Sequence, residues 1–212
     1  DSTFTTPYLL QPLTLGADFV VHSVTKYLGG HGDVLGGVVA AAAAEDAAAL
    51  RATRKVLGAT LSPFDAYLTL RGLRTLAVRV REQNATAQKL AEWLAQDPRV
   101  TRVYYAGLPA DPDHALARRL FRPGCAGGVL ALDLKEASRA GVFRFLERLR
   151  LVVSATTLGD ITTLALYPAI ASHRALTPDQ RAALGIGEGC VRLSAGLEDP
   201  ADLIADLHQA LG

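Results

Sequence analysis

The chain has 212 residues, 50% hydrophobic and 20% charged, with 22 basic and 21 acidic side chains for a net charge of +1. This composition excludes a disordered chain, and arginines dispersed along the predicted helices argue against nucleic acid or a membrane surface as a partner. The apolar stretch VLGGVVAAAAA at 34–44 is too short to span a bilayer, and no signal-peptide pattern is read at the start, so a cytoplasmic protein is expected.

The length suits one large domain or two small ones. There is no methionine, and the first residue is Asp1, so the chain is expected to be a piece of a longer protein. Cys125 and Cys190 lie far apart and are expected to be small buried thiols. The five histidines have no spacing suited to a metal, and none is expected.

In chain order, DSTFTTPYLLQPLTLGA is a turn-rich opening that leads into an apolar run, FVVHSV at 19–24, read as a buried strand. A glycine-rich turn, YLGGHGD, follows, then a second strand, VLGGVVAAA. With no helix between them, the two strands predict an antiparallel hairpin or the edge of a mixed sheet. Ser62-Pro63 with Asp65 in the first turn opens a long helix. Apolar spacing carries it to about Gln96, and RVREQN at 79–84 is read as an exposed or kinked middle.

Beyond Pro98 the pattern reads strand VTRVYYA, helix HALARRLF, strand GGVLALDL, helix SRAGVFRFLERL, strand LVVSA, a loop, helix PDQRAALG, strand CVRLSAG and helix PADLIADLHQAL. Thr177-Pro178 and Asp199-Pro200 repeat the cap-then-proline start. The expected organisation is the tail of one α/β domain over 1–61, and a long linking helix with a smaller α/β domain over 62–212.

Lys26 falls at the carboxyl end of the first strand, just before the glycine-rich turn, where open α/β sheets place ligands. A Schiff-base lysine must be held near a carbonyl and partly desolvated, and a strand end under a turn provides this. Ser23 and Thr25 flank it with hydroxyls able to bond a phosphate. Gly29, Gly30 and Gly32 permit close backbone approach. On spacing alone, a solvated strand-end lysine beside an ordinary tight turn reads the same way.

The runs DSTF, PLTLGAD and HSVTKYLGGHGDVLGG resemble the cofactor-lysine region of the Cys/Met-metabolism family of pyridoxal-phosphate enzymes. Three further stretches agree in order: SPFDAYLTLRGLRTL at 62–76, TLGDITTLALYPAIASH at 157–173 and GIGEGCVRLSAGLED at 185–199. The resemblance implies the C-terminal part of a large domain of fold type I, the aspartate-aminotransferase-like class, followed by the smaller domain. It implies pyridoxal 5'-phosphate as cofactor, bound by Asp1, Ser23, Thr25 and Lys26, with Lys26 also moving protons. Ser2 stands where the family usually has asparagine.

Arg192 resembles the family arginine that grips the substrate α-carboxylate, a task suited to a guanidinium fork. Thr157 stands in the position of a serine near that carboxylate. Bare sequence reads Arg192 as a strand-edge ion pair and Thr157 as a loop residue. Family members that act on cystathionine tend to carry glutamate where this chain has Thr156, so the resemblance favours γ-elimination or γ-replacement on methionine, homocysteine or an O-acylhomoserine. Cystathionine synthase or lyase chemistry is the alternative, and a catalytically inactive fragment is a third reading. The implied partners are the missing N-terminal half, an amino-acid substrate and further copies of the chain, as a dimer of dimers.

Overall fold

A computed structural model describes residues 1–212, which form two compact units, Asp1–Val80 and Arg81–Gly212.

In the first unit, a short helix α1 (Thr6–Leu9) precedes β1 (Phe19–Ser23), which pairs antiparallel with β2 (Gly37–Ala41) from Phe19 opposite Ala41 to Ser23 opposite Gly37. The expected hairpin is therefore present. Between the strands, Val24–Leu28 forms a wide π-type turn whose Val24 and Leu28 pack with Val34 and Leu68.

Helix α2 (Ala44–Leu57) follows β2 and was not expected. Its causes are local: an alanine-rich run, Glu45 and Asp46 in the first turn, Arg54 and Lys55 in the last, and Gly58 as a left-handed cap at φ 70°. None of its residues is buried.

The expected long helix is two helices, α3 (Pro63–Leu73) and α4 (Leu76–Leu94). Ser62 caps α3 as predicted, accepting the Asp65 N–H at 3.0 Å and donating its hydroxyl to Asp65 Oδ2 at 2.7 Å. The break falls at Arg74–Thr75 and not in RVREQN. Arg79, Gln83 and Asn84 of that stretch are buried, contrary to expectation. Each is accommodated because its side chain satisfies distant backbone groups: Arg79 donates to the Tyr27 and Gly72 carbonyls, Gln83 to that of Asp160, and Asn84 spans Gly124 to Gly127. The units divide at Val80–Arg81, within α4, whereas the helical segment begins with α3 at Pro63. Arg79 ties the first turn of α4 to residues 27 and 72 of the first unit.

The second unit is built on a five-stranded sheet of β3 (Val100–Tyr104), β4 (Val129–Leu134), β5 (Val153–Ser154), β6 (Leu164–Leu166) and β7 (Cys190–Ser194), in the order β3-β4-β7-β6-β5. All pairs are antiparallel except β5 with β6. Strand β6 lies where the sequence pattern predicts a loop. Three residues are too few to show a period, and its place in the sheet comes from pairing with β7 and β5.

Along β7 the two-residue period sends Val191 and Leu193 into the core and leaves Cys190, Arg192 and Ser194 on the other face. The core joins β4 and β7 to α4, to α6 (Arg139–Arg148) and to α8 (Pro200–Leu211), through Leu90, Leu94, Val142, Phe145, Leu203 and Leu207. The short helices α5 (His114–Leu120) and α7 (Pro178–Ala183) complete the unit. Thr177 and Gln180 form the predicted capping box, and Asp199 caps α8 by accepting the Ala201 N–H.

Buried Asp206 of α8 accepts the N–H groups of Arg150, Leu151 and Val152, each at 2.9 Å, and so anchors the segment that enters β5. Burial alone would raise its pKa, but these backbone donors with Gln209 outweigh it and hold the carboxyl below its ordinary value. The architecture is mixed α/β, as expected, and no helix is long and apolar enough to cross a membrane.

Candidate active site

In the first unit, Ser23, Thr25 and Lys26 lie at the carboxyl end of β1, and Asp1 opens a segment that runs beside that strand. Ser23 closes β1, and its N–H donates to Thr3 Oγ1 at 2.8 Å, while the Ser2 N–H donates to the Val21 carbonyl at 2.9 Å. Residues 1–3 are thereby laid along β1. Asp1 accepts the Thr3 N–H on Oδ1 at 2.7 Å, which orients its carboxylate. Burial pushes the pKa of neighbouring His22 down, against a hydrogen bond to the Ser2 backbone, so its ring favours the neutral form.

Lys26 sits inside the π-type turn but leaves helical geometry, at φ −96° and ψ −133°. Its side chain is half-buried, between buried Val24 and buried Tyr27. The turn around it is pinned from several sides. The Gly29 N–H bonds the Val24 carbonyl and the Gly30 N–H the Lys26 carbonyl, both at 2.8 Å. Gly30 adopts φ 74°, a left-handed conformation that glycine takes without strain. Gly36 closes the glycine loop onto the strand end, its carbonyl accepting the Val24 N–H and its N–H donating to Thr25 Oγ1 at 3.1 Å. Gly72 of α3 lies directly against the carbonyls of Gly29 and Leu28, where a Cβ would collide.

These residues fit a pyridoxal phosphate. A half-buried lysine stands at a strand end, and Thr25 Oγ1, which accepts the Gly36 N–H, can donate its own O–H to an acceptor such as a phosphate oxygen.

In the second unit, the Arg192 Nη2 donates to the Thr157 carbonyl at 2.8 Å, which brings these two residues together. Three side chains that sequence reasoning did not single out hold the same loop. Ser194 Oγ accepts the Gly159 N–H at 2.9 Å, Gln83 Nε2 donates to the Asp160 carbonyl at 2.7 Å, and Glu198 accepts the Thr163 N–H and hydroxyl at 2.7 and 2.6 Å. Ser194 and Glu198 lie within the GIGEGCVRLSAGLED run, but nothing local announces a partner dozens of residues away. His31 and His173 make short-range hydrogen bonds, to the Gly29 carbonyl and Ser172 hydroxyl, both at 2.8 Å.

The fold is that of solved enzymes of known chemistry. Cystathionine gamma synthase from Xanthomonas oryzae pv. oryzae, in complex with aminoacrylate and cysteine, superposes with a TM-score of 0.95 at 44% identity, over 100% of this chain and 54% of that one. A cystathionine gamma lyase (CalE6) from Micromonospora echinospora gives 0.94 at 42% identity, over 100% and 55%. Fold and site together define the class: part of a fold type I pyridoxal-phosphate enzyme. Within that class, the profile of the family described as Cys/Met metabolism PLP-dependent enzyme matches residues 1–212, and the chain belongs to that family.

Among curated relatives, L-methionine gamma-lyase of Pseudomonas putida is 48% identical over 213 residues, covering 100% of this chain and 52% of that protein. O-succinylhomoserine sulfhydrylase of Pseudomonas aeruginosa is 46% identical over 211 residues, covering 100% and 51%. The chain spans about half the length of the curated relatives it matches.

Proposed function

We propose that the full-length protein containing this chain catalyses γ-elimination or γ-replacement on methionine, homocysteine or an O-acylhomoserine. The observation that carries the reading is Lys26, half-buried at a strand end and flanked by the Ser23 and Thr25 hydroxyls. Lys26 would hold the cofactor through its amine, Ser23 and Thr25 would bond its phosphate, and Asp1 would face its ring nitrogen. Bound there, pyridoxal phosphate supplies an electron sink that acidifies the α-proton of an amino acid. Lys26 then serves as the base that takes the α-proton and moves protons between substrate carbons. Arg192 grips the α-carboxylate as a fork, with Thr157 beside it.

The choice of substrate is supported by Thr156, which has no charge to meet the distal amino group of cystathionine, and by relatives named methionine gamma-lyase and O-succinylhomoserine sulfhydrylase. A second reading, cystathionine synthesis or cleavage, is favoured by solved neighbours and curated relatives that bear those names. The protein is further read as a cytoplasmic dimer of dimers.

The test is product analysis on the full-length enzyme with methionine, cystathionine, and O-acylhomoserine plus sulfide. Turnover of methionine or the ester above cystathionine is expected, and preference for cystathionine would overturn the first reading. Borohydride reduction should label Lys26, and Lys26→Ala should lose the visible absorbance. Retention of that absorbance would remove Lys26 as the attachment point.

A further inference from the structure

We propose that Ser194 is a positioning residue of the α-carboxylate subsite: by holding the Gly159 N–H, its hydroxyl keeps Thr157 where its carbonyl orients the Arg192 guanidinium. The inference rests on the reading of Arg192 and Thr157 given above.

Arg192 and Ser194 lie two residues apart on β7, so their side chains emerge on the same face of the sheet. Strand β7 is interior and paired on both sides. Arg192 stands opposite Ala131 and Leu166, and Ser194 opposite Val129 and Leu164. The strand is thus a rigid base from which two side chains reach the backbone of one loop, at Thr157 and at Gly159.

Ser194 is 1% exposed, so its bond to Gly159 is made away from water, where an unpaired N–H is costly. Gly159 adopts φ 75°, which turns the chain sharply at the point that Ser194 holds.

The two halves of the loop are held independently. The far half is fixed by Gln83 at Asp160, by the Leu197 N–H at the Ile161 carbonyl at 2.8 Å, and by Glu198 at Thr163. The near half is tied to β7 by Ser194 and by Arg192, with the Ala155 N–H on the Ala165 carbonyl and buried Leu158 as further anchors. Loss of the Ser194 hydroxyl therefore loosens the Gly159 turn two residues past Thr157, shifts the carbonyl that orients the fork, and leaves the far half of the loop in place. An arginine fork recognises a carboxylate through two parallel bonds, so misorientation weakens carboxylate binding and does not touch proton transfer by another group.

The experiment uses the full-length, cofactor-loaded enzyme with two inhibitors: norleucine, an amino acid with no γ leaving group, and 1-aminopentane, the same chain without the carboxylate. In Ser194→Ala, norleucine inhibition and the substrate KM should weaken about tenfold, the equivalent of one buried hydrogen bond, with kcat and 1-aminopentane inhibition unchanged. Amide exchange over residues 157–159 should accelerate while 161–163 stay protected. Ser194→Cys, which fills the same space with a weak acceptor, should behave like Ser194→Ala and guards against a packing effect.

Equal weakening of both inhibitors, or of neither, overturns the role of Ser194. In the same assay Arg192→Ala should weaken norleucine more than 1-aminopentane. If it does not, the carboxylate reading of Arg192 falls first and takes this inference with it. If it does and Ser194→Ala is silent, only the inference fails.

Discussion

The Arg79 guanidinium donates to the carbonyl of Tyr27, the residue after Lys26, at 2.8 Å, across 52 positions of sequence. The same side chain donates to the Gly72 carbonyl at 2.8 Å and through Nε to Thr75 Oγ1 at 3.0 Å, so one buried cation joins the Lys26 turn to the break between α3 and α4. Arg79→Met removes the donors and leaves buried carbonyls without them. A loss of about 3 kcal/mol is expected, read as a lower urea midpoint with an unchanged slope.

Gly72 tests the same region from the other side. A side chain there meets the carbonyls of Gly29 and Leu28, which are backbone and cannot swing away. Gly72→Ala should cost roughly 1–3 kcal/mol by overpacking, seen in thermal melting, despite alanine's better helix propensity. The displaced turn carries Lys26, so cofactor retention should fall along with stability.

Asp206 predicts an acid-labile region in the second unit. Its carboxyl is held below the ordinary value in the folded protein, so the unfolded chain binds the proton more readily. The resulting stability is present above the unfolded value and is lost as pH falls through the depressed folded one. Asp206→Ala leaves three N–H groups, that of Val152 fully buried, without their acceptor and should cost about 3 kcal/mol at neutral pH. Denaturant titrations at neutral and acidic pH should show the difference between wild type and Asp206→Asn shrinking as the wild-type carboxylate is protonated.

The two thiols should react unequally. Cys190 is buried, and burial with nearby Asp133 pushes its pKa up to about 11. Cys125 is half-buried, and burial raises it too, against the favourable charge of Arg122. With a thiolate as the reacting species, a disulfide reagent at neutral pH should modify Cys125 first, and Cys190 only on unfolding. Mass mapping after timed quenching checks the order.

What could be read from sequence alone was what short-range chemistry decides. Ser62, Thr177 and Asp199 announced their helices because a cap bonds an N–H two or three residues away. FVVHSV announced a strand because apolar residues bounded by turn signals favour one, and the strand located Lys26, Ser23 and Thr25 at its end. Ordered motifs then supplied the family. The tertiary structure alone decided that Arg79, Gln83 and Asn84 of RVREQN are buried, that LAL at 164–166 is a sheet strand, and that Ser194, Gln83 and Glu198 hold the Thr157 loop. A polar side chain inside a helix reads as exposed until a distant carbonyl accepts its proton. For Gln83 that carbonyl lies 77 residues away, and the Gly159 N–H that Ser194 of β7 accepts lies 35 residues away, both beyond the reach of any local pattern.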